Sequence, residues 1–341
     1  MRISGKNKEK IKNFLRDFVY YSWYFLSPFK KKIDPEKIRR VLVIHPRVVG
    51  DLMLITPTVK ALAKKYGKVD VLIKPDMEQV LSGNPNVKKL IKHYGFEETL
   101  KKIKNKYDLA IIVAPLTFEM KKLCIKANIK YMIGNEFSYS FSDFLLSARV
   151  KNNNSRNSVA KYLELARLAG ADLENPKLEI YFSKDDEKYV ENMLKKNKIK
   201  EFVVIHAGKR GNNLKYFWPT SDFAKVADHV VEKYKVSVIL TGSPIERKIN
   251  DEIMRKVKSR KVFNFCEKTN IKQLACLLKK TRLLICLNTG VVPIACAFKR
   301  KMIAINEEFP ALWHPWTDKK DYIMLTDPGI GDVEESIKKL F

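Results

Sequence analysis

The sequence predicts an α/β protein built from two doubly wound parallel sheets, and three observations carry that expectation. Short β-branched apolar runs alternate with stretches of helical apolar periodicity along most of the chain, the pattern left by parallel strands joined through crossover helices. The alternation comes as two series, Arg39 to about Ala148 and Phe202 onward, parted by the polar, turn-rich stretch Val150 to Asn157 and a helical stretch, Val159–Ala169. At 341 residues the chain also exceeds what one hydrophobic core usually serves. Two Rossmann-like units are expected, 37–172 and 173–341, with a linker ahead of Pro176 and a basic N-terminal segment over 1–36.

The N-terminal segment differs from the rest. Residues 1–40 hold twelve basic and four acidic residues around an aromatic stretch from Phe14 to Phe29. Ile11, Phe14, Leu15, Phe18, Tyr21, Phe25 and Phe29 recur at helical spacing, and Lys30, Lys31 and Lys32 close the run. Its apolar part is shorter than the ~20 residues that a membrane span needs. The pattern fits an amphipathic helix lying on an anionic membrane surface through residues 11–32. The alternative is a helix packed on the protein's own body or on a second copy. A secretory signal is not expected, because the run contains Tyr, Trp and Ser and lacks a small-residue cleavage site.

In the first series the expected strands are Val41–Ile44, Val69–Ile73, Leu109–Ala114 and Tyr131–Ile133, with helices over Leu54–Tyr66, Glu97–Lys104 and Phe118–Ala127. The first strand breaks at His45-Pro46, and a loop closes on Gly50-Asp51 before a helical stripe of Leu52, Ile55, Val59, Leu62 and Ala63. Asp51 stands where a helix N-cap belongs, and also at the carboxyl edge of a strand, where open α/β sheets gather ligands. A cap and a catalytic acid explain it equally well.

The second series gives strands over Phe202–His206, Val236–Leu240, Leu283–Leu287 and Met302–Ile305. Its helices cover Ser221–Lys233, Ile245–Val257, Ile271–Lys279, Val291–Phe298 and Val333–Leu340. The turn Ala207-Gly208-Lys209-Arg210-Gly211 follows a strand, so its backbone N–H groups and cations suit a diphosphate or form a solvated basic loop. Trp218-Pro219 is expected to start a helix and pack in the core. Asn288-Thr289-Gly290 ends a strand at a helix start, a position whose N–H groups suit phosphate. His45 and His206 end equivalent strands, and each serves equally as a substrate contact or a satisfied strand-end residue.

The 66 basic against 38 acidic residues leave a net charge of +28, which points to lipid headgroups, nucleic acid or phosphorylated substrates as surroundings. A nucleic-acid partner is not expected, since no recognition module or aromatic platform accompanies the charge. Cys124, Cys266, Cys276, Cys286 and Cys296 lie in apolar contexts without a CxxC pair, and read as buried thiols in a reducing cytoplasm. His93, His229 and His314 have no partners at ligand spacing and no Asp-x-Asp cluster occurs, so no metal site is expected.

With these blocks in place the chain resembles the ADP-heptose:lipopolysaccharide heptosyltransferases, glycosyltransferase family 9. Four blocks carry the likeness. They are Gly50-Asp51 with Thr56-Pro57 and Asn84-Pro85-Asn86-Val87; Val204 to Gly208 with Trp218-Pro219 and Phe223; Leu240 to Arg247; and Asn288-Thr289-Gly290 with Ala295, Ala297 and His314-Pro315-Trp316. The resemblance implies a GT-B fold whose two Rossmann-like domains face a central cleft. It also implies an inverting, metal-independent transfer from a nucleotide-sugar donor, ADP-heptose among the candidates, with no further cofactor. The acceptor implied is an anionic glycolipid or lipid-linked glycan of lipopolysaccharide type, at the inner face of the cytoplasmic membrane.

Carried onto this chain, the resemblance makes Asp51 the general base, with His45, Arg47 and Gly50 beside it on the acceptor side. It makes Glu246 the ribose-holding acid, against the alternative of a first-turn acid that suits the helix dipole. Lys215 resembles the family's donor-phosphate lysine, although it lies three residues before Trp218 instead of two, and Lys209 or Arg210 could take its place. Gly208, Asn288, Thr289 and Gly290 complete the donor set. Two departures stand out: Asn288 replaces the family Asp, and Pro293 stands where a His is usual. They leave room for a second reading, a diverged or non-catalytic sugar-nucleotide binder on the same fold.

Overall fold

The computed structural model describes residues 32–113, 118–136, 145–151, 156–208, 218–306 and 310–341. The expected amphipathic helix through residues 11–32 therefore lies outside the described residues except for Lys32.

In the first half the chain forms β1 (Val41–Ile44), α1 (Val49–Leu54), α2 (Thr56–Tyr66), β2 (Val69–Ile73), α3 (Glu78–Leu81) and β3 (Val87–Lys92). There follow α4 (Phe96–Ile103), β4 (Leu109–Ile112), α5 (Phe118–Lys126), β5 (Tyr131–Asn135), β6 (Ala148–Val150) and α6 (Ser158–Leu168). The second half begins with α7 (Lys184–Lys196), β7 (Phe202–His206), α8 (Thr220–Tyr234), β8 (Ser237–Leu240), α9 (Arg247–Lys256) and β9 (Val262–Asn264). It ends with α10 (Ile271–Lys280), β10 (Leu284–Leu287), α11 (Val291–Ala297), β11 (Met302–Asn306), β12 (Tyr322–Thr326) and α12 (Ile330–Leu340).

The strands make two six-stranded sheets, β3-β2-β1-β4-β5-β6 and β12-β11-β10-β7-β8-β9, and neighbours are parallel throughout. Read from its other end, the second sheet has the order of the first, with β7 standing for β1 and β10 for β4. Strand order reverses between β1 and β4 and again between β7 and β10. The crevice outside the carboxyl ends at such a switch point is where α/β sheets bind ligands.

The central strands were legible because both faces of a parallel sheet are buried and the runs are continuously apolar. β1 and β4 are buried at every position. The less apolar edge elements escaped. β3 interleaves Lys88, Lys89 and Lys92 with its apolar residues, and its lysines stay in reach of solvent. α7 buries only Val190 and Leu194 among thirteen residues, so its stripe is thin, although Ser183 and Asp186 cap it reciprocally.

Two expectations need correcting. The helix expected over Leu54–Tyr66 begins at Thr56, and Leu54 ends the separate helix α1 before it, because Pro57 has no N–H to give to the carbonyl of Met53. The Thr56 hydroxyl donates to that carbonyl instead, at 2.8 Å. Asp51, expected at an N-cap, is the third residue of α1. The extended residue before the helix is Val48, at φ −80° and ψ 172°, with no side-chain cap. Capping therefore does not account for Asp51.

One apolar core spans both halves. Val41, Val43 and Ile111 of the first sheet belong to the same buried cluster as Leu62 of α2, Leu163 of α6, Leu277 of α10, Ile294 of α11 and Val204 of the second sheet. Each such aliphatic side chain contributes about 1.5–3 kcal/mol on burial. Within this core α1 meets α11 at two glycines. A Cβ placed on Gly50 would lie 3.2 Å from the Cα of Gly290, and one on Gly290 would lie 3.3 Å from the backbone nitrogen of Gly50. The connecting stretch is tied down as well: the Glu179 N–H donates to the Thr56 hydroxyl at 3.1 Å, and Lys60 pairs with the Glu179 carboxylate at 2.5 Å.

Bulk at the glycine crossing should be resisted. Gly50→Val is expected to lower stability by about 1–3 kcal/mol through overpacking. Gly331→Ala, where nothing lies within 4 Å of the added Cβ, should be neutral or slightly stabilising. Urea unfolding midpoints compare the two directly.

Candidate active site

The site begins where β1 ends. His45 still follows the sheet, its N–H donating to the Leu72 carbonyl at 3.0 Å, and Arg47 turns back with its N–H on the His45 carbonyl at 2.8 Å. Arg47 lies four residues before Asp51, and its Nε donates to Asp51 Oδ2 at 3.1 Å. With the Arg47 side chain 47% exposed and that of Asp51 21% exposed, the pair adds little to stability. Its effect is to orient the carboxylate at the mouth of the first sheet.

Beneath Asp51 the walls are uncharged. His45 is 1% exposed, and neither of its ring nitrogens has a hydrogen-bond partner. Burial pulls its pKa down to about 4, against the opposing pull of the Asp51 charge and of the Asp51 backbone beside the ring. Tyr162, reaching in from α6, sets its ring edge-on to His45 at 5.8 Å. Burial, with the Asp51 charge adding to it, pushes its phenol up to about 12. Both side chains are neutral at physiological pH.

On the second sheet, His206 ends β7 and is 7% exposed. Its Nδ1 meets the Thr241 hydroxyl at 3.0 Å, while its Nε2 lies 4.0 Å from Glu246 Oε1. Burial lowers its pKa and the Glu246 charge opposes that. Glu246 closes a 3-10 turn, Pro244–Glu246, and its Oε2 accepts from the Ser243 N–H. A Cβ on Gly208 would fall 2.4 Å from Glu246 Oε1 and 2.7 Å from His206 Nε2. Only glycine at 208 lets the carboxylate lie there. Behind it, Asn250 donates to the Thr241 carbonyl at 3.3 Å.

The third component is the end of β10. Asn288 Nδ2 and Thr289 Oγ1 are buried without partners, and Gly290 follows as the residue that meets Gly50. That contact puts Asp51 and Thr289 each one residue from the same crossing, with Asn288 one residue further. Pro293 packs into it too, its Cγ being 3.9 Å from a Cβ on Gly50.

Of the residues singled out in the sequence, the structure thus brings His45, Arg47, Gly50 and Asp51 together, and likewise His206, Gly208 and Glu246. Asn288, Thr289 and Gly290 join the two groups. Lys209, Arg210 and Lys215 lie outside the described residues. Trp218 is core, as expected, with its indole N–H on the Pro328 carbonyl at 2.9 Å. Tyr162 and Thr241 were missed. Thr241 stands inside a quoted block as the first polar residue after its strand, which was a usable signal. Nothing in the sequence linked Tyr162 to Asp51.

Four of the cysteines are buried and Cys266 is half-buried; all are free thiols. Burial pushes Cys124 up to about 12 and Cys276 up to about 11. Among the described residues no group of three or more His, Cys, Asp or Glu side chains is arranged to hold a metal ion. No helix among them is long and apolar enough to cross a membrane.

The model of glycosyltransferase family 9 (heptosyltransferase) matches residues 97–337. The chain belongs to glycosyltransferase family 9. It is a glycosyltransferase, as the resemblance implied. This family 9 chain is 24% identical over 273 residues to the lipopolysaccharide core heptosyltransferase OpsX of Haemophilus influenzae, covering 76% of each. Among solved structures it is similar to a family 9 glycosyl transferase from Veillonella parvula, with a TM-score of 0.76 at 19% identity and 91% of both chains covered. It is also similar to the E. coli ADP-heptose lps heptosyltransferase II, with a TM-score of 0.74 at 21% identity, covering 88% of this chain and 98% of that one. The structural likenesses establish the expected GT-B fold.

Buried neutral His45 has a consequence for stability. Between pH 6.5 and about 4 the unfolded chain binds a proton at this residue that the native chain refuses. The His45 contribution is therefore complete above pH 6.5 and is lost as pH falls to 4, a change of roughly 3 kcal/mol. Urea unfolding of His45→Gln at pH 7 and pH 4 should lose less stability than the parent by about that amount. Equal losses would mean that native His45 is already protonated at pH 6.

Proposed function

We propose that this glycosyltransferase moves a heptose or closely related sugar from a nucleotide-sugar donor, ADP-heptose in the first instance, onto a lipopolysaccharide-core acceptor. The observation that carries the reading is the placement of Asp51. Its carboxylate sits at the carboxyl edge of β1, not as a cap but held by Arg47 through Oδ2, one residue from the contact that joins the sheets. The names of the relatives supply the sugar and the acceptor class.

In this reading residues 37–172 form the acceptor side and 173–341 the donor side. Asp51 removes the proton from an acceptor hydroxyl as that oxygen bonds to the anomeric carbon. The bond from that carbon to the diphosphate oxygen breaks on the opposite face, so configuration inverts. General-base help of this kind contributes about 10²–10⁴-fold. Glu246, with Oε2 fixed by the Ser243 N–H, keeps Oε1 to accept from ribose hydroxyls. Gly208, Lys209, Arg210 and Lys215 take the leaving diphosphate, and Asn288, Thr289 and Gly290 the sugar-phosphate end. The negative charge that develops is met by cations and backbone N–H groups, with no metal called for. The protein works at the cytoplasmic face of the membrane, held there by residues 11–32.

Asp51→Asn is expected to lower kcat with ADP-heptose and a lipopolysaccharide-core acceptor by about 10²–10⁴-fold while donor binding, read by calorimetry, persists. Undiminished turnover would remove Asp51 from the mechanism. Donor binding with no turnover in the parent chain would favour the non-catalytic reading.

Deleting residues 1–32 should release the protein from anionic phospholipid vesicles in a sedimentation assay and leave cooperative unfolding intact. Continued sedimentation would place the membrane contact elsewhere.

A further inference from the structure

Ten side-chain atoms among the described residues are buried without a hydrogen-bond partner, and five of them lie at the carboxyl edges of the two sheets: both ring nitrogens of His45, Asn135 Oδ1, Asn288 Nδ2 and Thr289 Oγ1. A buried polar atom left unpaired costs about 1–3 kcal/mol, so a concentration of them at one place calls for a cause. Asn288 and Thr289 belong to the donor set already described. His45 and Asn135 do not, and they come from the opposite sheet.

These two residues share a row. Ile44 pairs with Ile112 and Ile112 with Gly134. One residue further on, His45, Val113 and Asn135 continue the register, and the ladder continues with them, the Val113 N–H donating to the Ile44 carbonyl at 3.1 Å. Residues in register on parallel strands project to the same face, and two strand spacings put His45 and Asn135 about 10 Å apart. Val113 packs in the same cluster as Val159 and Leu163 of α6, and Tyr162 of that helix touches His45. The row therefore lies on the face that α6 covers, at the end where α1 carries Asp51.

The orientation of the Asn135 amide is fixed. Its Nδ2 donates to the Val113 carbonyl at 3.1 Å, which leaves Oδ1 as the unpaired atom, an acceptor without a donor. Asn135 is 1% exposed, so no bulk water compensates. His45, neutral here, offers one donor and one acceptor nitrogen. A donor-poor, acceptor-bearing shelf of this kind matches hydroxyl groups, each of which gives one proton and accepts another.

We propose that His45 and Asn135 hold hydroxyls of the acceptor sugar other than the one that attacks, and so select and orient the acceptor under Asp51. The assignment rests on the reading of the first sheet as the acceptor side. Asn135 accepts a hydroxyl proton at Oδ1, and a second hydroxyl of the same glycan pairs with the His45 ring. A glycan lacking either hydroxyl leaves a buried polar group unpaired, the arrangement that discriminates most strongly between substrates. Asn135 is thus a specificity residue that no sequence block contains.

The experiment pairs substitution with substrate truncation, using the full chain, ADP-heptose, and a deacylated lipopolysaccharide-core acceptor with its monodeoxy analogues. Asn135→Leu should raise the acceptor KM about tenfold or more, the equivalent of one hydrogen bond to a buried group, with the donor dissociation constant unchanged. One monodeoxy analogue should lose about the same factor against the parent enzyme and lose nothing further against Asn135→Leu. A different analogue should show that relation with His45→Leu. Because either leucine could disturb packing, the coupling between variant and analogue is the deciding quantity, since a merely structural defect penalises every acceptor alike. If all analogues lose equal factors with parent and variants, or if the variants weaken donor binding instead, the assignment is overturned while the transferase reading stands. If the parent transfers to none of these acceptors, the proposed donor and acceptor fail, and this assignment fails with them.

Discussion

The approach of Gly50 to Gly290 is the contact on which the rest of the site depends. Two short helices, one from each sheet, meet with backbone against backbone, and a Cβ on either glycine would stand 3.2–3.3 Å from the other glycine's backbone. The surrounding core is continuous from one sheet to the other, so the contact is held by apolar packing. Polar bonds play no part at the crossing itself. Its position has a chemical consequence: the residue after Gly50 is an acid and the residues before Gly290 are hydrogen-bonding groups. The two carboxyl edges are thereby brought to face each other with functional groups foremost.

Electrostatics at the two edges follow one pattern. Each edge carries a carboxylate that keeps some solvent exposure, and behind it a buried histidine that burial holds neutral. The carboxylates differ in what fixes them. Asp51 is held by a side chain, Arg47, and Glu246 by a backbone N–H within its own turn. A neutral imidazole behind a carboxylate does not compete with it for protons near pH 7, and a deeply buried cation there would be costly. In the proposed mechanism the charge needed to balance a leaving diphosphate is then left to groups nearer the surface, in keeping with an excess of 28 positive charges over the whole sequence.

Polar groups without partners are the other constraint. Their concentration at the carboxyl edges sets these apart from the interior of either sheet, where the apolar runs leave little to satisfy. In the proposed reading hydroxyls and phosphates complete the site, and the unbound protein carries the cost of that readiness. A large shared core tolerates it.

The sequence by itself determined the class of fold, the placement of the central strands and the four blocks of the family. Those features are local: a buried parallel strand is apolar along its length, and a turn that needs glycine shows glycine. It also singled out Gly208, through a turn directly after a strand, and Glu246, through the resemblance, while their closeness came from the structure. The edge strand β3 and the helix α7 were hidden by lysines and by a thin apolar stripe. Tertiary structure alone decided that Asp51 is no cap, because one residue of backbone at Val48 sets where the helix starts. It alone brought Tyr162 beneath Asp51, aligned Asn135 with His45 across two strand spacings, and set Gly50 on Gly290. These contacts join residues from 90 to 240 positions apart, and no local periodicity records which distant strand or helix will come to lie alongside.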